Sequence, residues 1–156
     1  MNEMLTRARR YARQKHRGQL DKCDLPYFNH PWRVSHEALL RAGSQRAAIL
    51  GILHDTVEDT DATLEDIAVQ FGGDIAKGID ALTRREKETY KDYIRRIART
   101  KDRDVVSVKL ADLADNSDPH RNACIKDPRE REAMAKMVRG RYTWATTYLM
   151  GTGIAW

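Results

Sequence analysis

Apolar positions along this chain recur at helical rather than alternating spacing almost from its start. Leu5, Ala8, Tyr11 and Ala12 share one face of a segment from residue 3 to 16, with arginines opposite, and Gly18 is a suitable stop. A polar loop from Leu20 to Asn29, containing Pro26, follows. Pro31 suits the first position of a helix running to about Arg41, which puts His30 at that helix's N-terminal edge. Gly43-Ser44 breaks it, and Ser44 caps the next, predicted from Gln45 to Asp55 and carrying the apolar run Ala47-Ala48-Ile49-Leu50-Gly51-Ile52-Leu53.

The second half of the chain keeps the same period. Thr63 to Phe71 reads as a short amphipathic helix, capped by Thr63 or Asp61 and ended by Gly72-Gly73. Asp74 is placed to cap Ile75 to Leu82, and Thr89 to Arg99 resumes the period through Tyr90, Tyr93, Ile94 and Ile97. Between Asp104 and Asn116, Val105-Val106-Ser107-Val108 favours a strand on propensity, but its helical neighbours argue for a helix packed on every side. Pro119 to Asp127 reads as loop, Arg129 to Leu149 as one long final helix, and Gly151 to Trp156 as a loose tail. The expectation is a single all-α domain over residues 1–156, built from about seven or eight helices.

Composition agrees with that picture. The chain has 156 residues, 41% of them hydrophobic and 33% charged, which suits one folded domain with a real core. No apolar run approaches the roughly 18 residues needed to span a membrane, and the basic N-terminus lacks a signal-peptide core. Cys23 and Cys124 lie far apart and match no metal spacing, so reduced thiols and a cytoplasmic location are expected. A net charge of +5 points to an anionic partner. With no basic run interleaved with aromatics, a small phosphorylated molecule is preferred over nucleic acid, and the oligomeric state is left open.

The chemistry concentrates in Leu53-His54-Asp55-Thr56-Val57-Glu58-Asp59-Thr60, directly after the buried run. Acids seldom follow a buried segment unless they are paired or bound to a cation. His54 and Asp55 are adjacent and splay apart on a regular helix, so both can grip one ion only near a helix end. Asp112, inside the apolar stretch Val105 to Leu113, is a second acid in a core helix, and His30 stands at a helix edge. Taken singly, His30 reads equally well as a capping histidine and Asp112 as a buried cap. Together with His54 and Asp55 they make two imidazoles and two carboxylates, a donor set suited to a divalent transition metal with open positions. Glu58 and Asp59 then stand as non-ligand carboxylates able to take a proton from water.

These pieces resemble the HD-domain phosphohydrolases, in particular the (p)ppGpp hydrolase domain of RelA/SpoT homologues and the small metazoan SpoT-like hydrolases. The ordered matches are His16-Arg17-Gly18-Gln19, Pro26-Tyr27-Phe28-Asn29-His30-Pro31, His54 to Thr60, Phe71-Gly72 leading to Thr83, and Lys109-Leu110-Ala111-Asp112 with Asn116. The resemblance implies one manganese ion on His30, His54, Asp55 and Asp112, with Glu58 and Asp59 directing the attacking water. It further implies nucleotide contacts from Lys22 and Asn116, and phosphate contacts from Arg139 and Tyr142 on the last helix. The expected activity is removal of the 3′-pyrophosphate of (p)ppGpp. The alternatives are an HD nucleotidase acting on another nucleotide and a non-catalytic nucleotide-binding protein.

The chain departs from the family's pattern on the substrate side. Where the family carries an arginine, this chain has Asp21, and after Asp112 it reads Leu113-Ala114-Asp115-Asn116-Ser117-Asp118-Pro119 with two further arginines missing. Weaker ppGpp hydrolysis is expected from this, and restoring the cation with Asp21→Arg is expected to raise it. Arg84, Arg85 and Lys87 read as a solvated loop or as replacements for the lost charge.

Overall fold

A computed structural model describes residues 3–154. Among the described residues the regular structure is helical: α1 (Glu3–Lys15), α2 (Asn29–Ala42), α3 (Gln45–Leu53), α4 (Thr56–Asp59), α5 (Leu64–Phe71), α6 (Gly73–Leu82), α7 (Tyr90–Arg99), α8 (Arg103–Ser117), α9 (Pro119–Ala123), α10 (Pro128–Met137) and α11 (Thr143–Met150). A π-helical turn, Val138–Tyr142, joins α10 to α11. The all-α expectation holds, and α8 is a helix with Val105, Val106, Ser107 and Val108 all buried. Burial on every side lets tertiary packing override the strand propensity of its valines.

Helices α1, α2, α3 and α8 pack around a core that includes Ala8, Val34, Leu50, Leu53, Val106 and Leu113. Helices α2 and α3 approach closely at Gly51, where a Cβ atom would stand 2.8 Å from the Ser35 Cα. Only glycine permits that approach. It brings the start of α2, with His30, beside the end of α3, with His54.

Several boundaries differ from the sequence reading, each for a local reason. Helix α2 begins at Asn29, not Pro31. Pro31 still falls among the first four residues, where no backbone N–H donor is needed. Helix α3 stops at Leu53, and Asp55 (φ −95°, ψ −5°) separates it from α4. The Thr56 hydroxyl donates to the Leu53 carbonyl at 2.7 Å, which secures the break. The next helix is capped by Thr63, whose side chain accepts from Asp66 while Asp66 accepts from the Thr63 backbone. Asp74 is not a cap; the cap position is Gly72, and Asp74 instead pairs with Arg46 at 2.5 Å. The expected loop from Pro119 contains α9, with Asp118 accepting from the His120 N–H at 2.8 Å. The expected final helix runs unbroken from Pro128 to Met150, with a π-helical stretch at Val138–Tyr142. The tail is not uniformly loose, because Ile154 packs on the core; Ala155 and Trp156 lie outside the described residues.

The two cysteines are the clearest correction. Cys23 and Cys124 form a disulfide, with Cα atoms 5.5 Å apart across 101 positions of chain. Spacing along the chain gave no hint of this, because the fold rather than the sequence separation decides which cysteines meet. The bond ties the loop before α2 to the end of α9.

Candidate metal centre

The break after Leu53 is what lets neighbouring residues converge. His54 and Asp55 leave the regular helix in succession, and the His54 Nε2 atom comes within 3.1 Å of Asp55 Oδ1. His30 enters from the start of α2, its Nε2 3.5 Å from Asp55 Oδ2 and 3.3 Å from Asp112 Oδ1. Asp112 reaches in from the middle of α8, with Oδ1 3.9 Å from His54 Nε2. Donor atoms of His30, His54 and Asp55 all lie within 4.8 Å of one another. Asp112 adjoins this triad through the two imidazoles. Residues 30, 54, 55 and 112, drawn from three separate parts of the chain, thus meet at one point.

The outward-facing nitrogens of both rings are held by other groups. His54 Nδ1 is 2.9 Å from the Gly51 carbonyl. His30 Nδ1 is 2.6 Å from Asp115 Oδ2. Asp115 is itself held by Arg33 at 2.5 Å and by Arg121 at 2.8 Å. With Nδ1 held outward, each ring turns Nε2 inward, toward the carboxylates. His54 Nε2 is buried and has no hydrogen-bond partner. An orphaned buried acceptor beside two carboxylates is the arrangement a divalent cation satisfies, and imidazole with carboxylate suits such an ion.

The electrostatics agree. Burial opposes charge on His30, but hydrogen bonds with Asp112, Asp115 and Asp55 override it and hold its proton affinity well above the ordinary histidine range. His54 is raised against burial by Asp55. Burial works against ionisation of Asp55, yet His54 and His30 hold it well below the usual carboxylate range. Asp112 is likewise lowered, chiefly by Lys109, whose ammonium lies 2.7 Å from Oδ2. That contact leaves Asp112 Oδ1 facing the imidazoles. The cluster therefore concentrates negative charge around a point where positive charge is favoured.

Glu58 and Asp59 sit on α4 at the edge of this cluster. Tyr27 donates to Asp55 at 2.6 Å and lies 3.2 Å from Asp59 Oδ2, linking the two acids. Burial, Asp55 and Glu58 together raise the Asp59 pKa, the direction expected of a proton acceptor. Glu58 accepts from the Arg84 backbone N–H at 3.1 Å.

A cavity of about 300 Å³ opens beside the centre, lined by Lys22, Tyr27, Asn116, Arg121 and Tyr142 among others. Asn116 connects the two, donating to Asp112 Oδ1 at 2.6 Å. Of the four residues assigned to substrate by resemblance, Lys22, Asn116 and Tyr142 therefore share one cavity. Arg139 does not line it. Its guanidinium, at the start of the π-turn, pairs with Glu132 at 2.9 Å. Arg121 supplies a cation that sequence reasoning missed, as it missed Asp115 and Tyr27. Only Tyr27 carried a signal, its place in the Pro26–Pro31 motif.

The HD domain profile matches residues 8–143. The chain belongs to the HD domain family. Within it, this HD domain is 36% identical over 120 residues to a guanosine-3′,5′-bis(diphosphate) 3′-pyrophosphohydrolase of Aquifex aeolicus, covering 73% of this chain and 17% of that protein. It is 36% identical over 122 residues to a GTP pyrophosphokinase of Streptomyces coelicolor, covering 72% of this chain and 14% of that one. This HD domain thus spans under a fifth of those curated relatives. The solved structure of a metazoan ortholog of SpoT, described as hydrolysing ppGpp, superposes with a TM-score of 0.72 at 25% identity, covering 99% of this chain and 98% of that one. No helix among the described residues is long and apolar enough to cross a membrane.

Proposed function

We propose that this HD domain is a metal-dependent phosphohydrolase that removes the 3′-pyrophosphate of (p)ppGpp. The observation that carries the reading is the buried, unpartnered His54 Nε2 facing His30, Asp55 and Asp112. The activity named for the Aquifex relative and for the metazoan SpoT ortholog supports the choice of substrate.

His30, His54, Asp55 and Asp112 would hold one divalent ion, manganese in this reading. When bound, such an ion acidifies water and offsets phosphate charge. Asp115 and the Gly51 carbonyl keep the imidazoles aimed inward. Asp59, its pKa raised by burial and by the neighbouring Asp55 and Glu58, accepts a proton from water, and Tyr27 holds it against Asp55. Glu58 shares that role from its place on the Arg84 backbone. Lys22, Arg121 and Tyr142 receive the nucleotide, with Arg121 standing in for the arginine absent at position 21.

A second reading rests on Asp21, an acidic residue that also lines the cavity. It favours a nucleotidase acting on a less charged nucleotide. The deciding experiment loads the protein with manganese and measures pyrophosphate and phosphate release from ppGpp and a panel of nucleotides. Asp55→Ala should lose metal and turnover together. Glu58→Ala should keep the metal while turnover falls by about 10²- to 10⁴-fold, the usual worth of a positioned acid or base. Turnover of another nucleotide above ppGpp would select the second reading. Loss of metal in Glu58→Ala would move Glu58 among the ligands.

A further inference from the structure

A cleft of about 850 Å³ is distinct from the cavity beside the metal centre. It lies between α1 and the start of α2, and its walls include Arg10, Arg13, Arg17, His16, Phe28 and Trp32. No acidic side chain lines it. Arg10 and Arg13 are neighbours on one face of α1, Arg17 follows in the turn behind it, and all three are exposed. Among the described residues none of these three guanidiniums is engaged by a carboxylate.

The inner wall asks for different chemistry. Gln19 donates from Nε2 to the Asp59 carbonyl at 2.8 Å, which fixes its amide with Oε1 turned toward His16. His16 Nδ1, 2.7 Å from that oxygen, must therefore be the donor. The other nitrogen of the neutral ring, Nε2, is left as an acceptor. His16 is 2% exposed, and this Nε2 is buried without a partner. Phe28 and Trp32, with ring centres 6.2 Å apart, add an aromatic wall, and Trp32 is 42% exposed. Free cations, flat apolar surface and a waiting acceptor describe a ligand with phosphates, a planar ring and an N–H or O–H donor.

We propose that this cleft is a second binding site, separate from the metal centre, for a nucleoside di- or triphosphate. The phosphates would meet Arg10, Arg13 and Arg17, the base would lie against Phe28 and Trp32, and a base N–H or ribose hydroxyl would satisfy His16 Nε2. A single nucleotide is favoured over a nucleic-acid strand because the unpartnered acceptor closes the inner wall. The proposal does not depend on the reaction at the metal centre.

The test is calorimetric titration of GTP, ATP, inorganic pyrophosphate and a 12-nucleotide oligo-dT into the full chain stripped of metal, and into Asp55→Ala. One nucleotide should bind per chain in both. Arg13→Glu with Arg17→Glu should weaken binding by about tenfold or more, the worth of one or more charge-assisted contacts. Both arginines are exposed, and circular dichroism should report an unchanged fold. Pyrophosphate should bind at least about tenfold more weakly than the nucleotides, for want of the ring contacts. No nucleotide binding, binding that survives the arginine reversals, or equal affinity for pyrophosphate would each overturn the proposal. So would tighter binding of the oligonucleotide, or binding lost in Lys22→Glu and retained in the arginine variant, which places the nucleotide in the other cavity.

Discussion

His30 Nδ1 lies 2.6 Å from Asp115 Oδ2, across 85 positions of chain. Asp115 is not offered to the metal. Its carboxyl, opposed by burial but held by His30, Arg33 and Arg121, is lowered to about 2 and stays ionised at neutral pH. It fixes the ring so that Nε2 points inward, which makes it a positioning residue.

Asp115→Ala should therefore leave all four proposed ligands in place and still weaken metal binding by about 10- to 100-fold, the usual cost of losing such a partner. Manganese titration monitored by calorimetry would check this. Affinity equal to that of the unaltered chain would show that packing alone orients His30.

Asp21 also has a local structural role. Asp21 Oδ1 accepts from the Cys23 N–H at 2.9 Å and from the Leu25 N–H at 3.1 Å, holding together the loop that carries Lys22. Arg121 already brings a guanidinium to the same cavity. Asp21→Arg adds a cation but removes both loop contacts, so ppGpp turnover should not rise. Steady-state rates of the two forms decide it. A gain of about tenfold, equal to one new charge-assisted contact, would restore the simpler view of position 21 as a missing phosphate ligand.

The Cys23–Cys124 bond closes a long loop, so it limits the unfolded chain more than a short one would. Cys23→Ser should lower unfolding free energy by about 2–5 kcal/mol. Denaturant unfolding with and without a thiol reductant measures this. The reductant should destabilise the unaltered chain and leave Cys23→Ser unchanged.

Glu88 and Arg96 close the connection between α6 and α7, which carries the Arg84 N–H bound to Glu58. Arg96 makes two hydrogen bonds to the Glu88 carboxylate, at 2.7 and 2.9 Å, and reaches the Ala81 and Thr83 carbonyls. The Arg96 hydrogen bond, partly opposed by burial, lowers Glu88 below its ordinary value of 4.5. A lowered carboxyl binds its proton more readily in the unfolded chain, so stability is lost on acidification. The contribution is complete above about pH 5.5 and disappears as pH falls through 4.5 toward the folded-state value. Glu88→Gln should cost about 1.5–3 kcal/mol at pH 7, with the gap to the unaltered chain narrowing below about pH 4.5. Urea midpoints across that range would show it. A gap independent of pH would mean that shape rather than charge matters here.

Much of this molecule was legible in the order of its residues. The 3.6-residue period marked α1, α2, α5, α6 and α7, because a helix must bury one stripe wherever it packs. Ser44 and Thr63 cap as their side-chain oxygens dictate. The acid at position 112 within an apolar stretch announced a cation or a network, since an isolated buried carboxylate is too costly to keep. Asp115, Arg121 and the disulfide were different. Nothing in the local sequence distinguishes Asp115 from Asp118 three positions on; only the meeting of α2 with α8 sets it against His30. Cys23 and Cys124 meet because α9 folds back over the loop before α2, a long-range arrangement with no local cause. The π-turn at Val138–Tyr142 also escaped a periodic reading, since one extra residue per turn leaves composition unchanged while rotating every side chain beyond it. Local propensity and burial thus determined which helices form, whereas the second layer of contacts around the metal centre depended on distances across the fold.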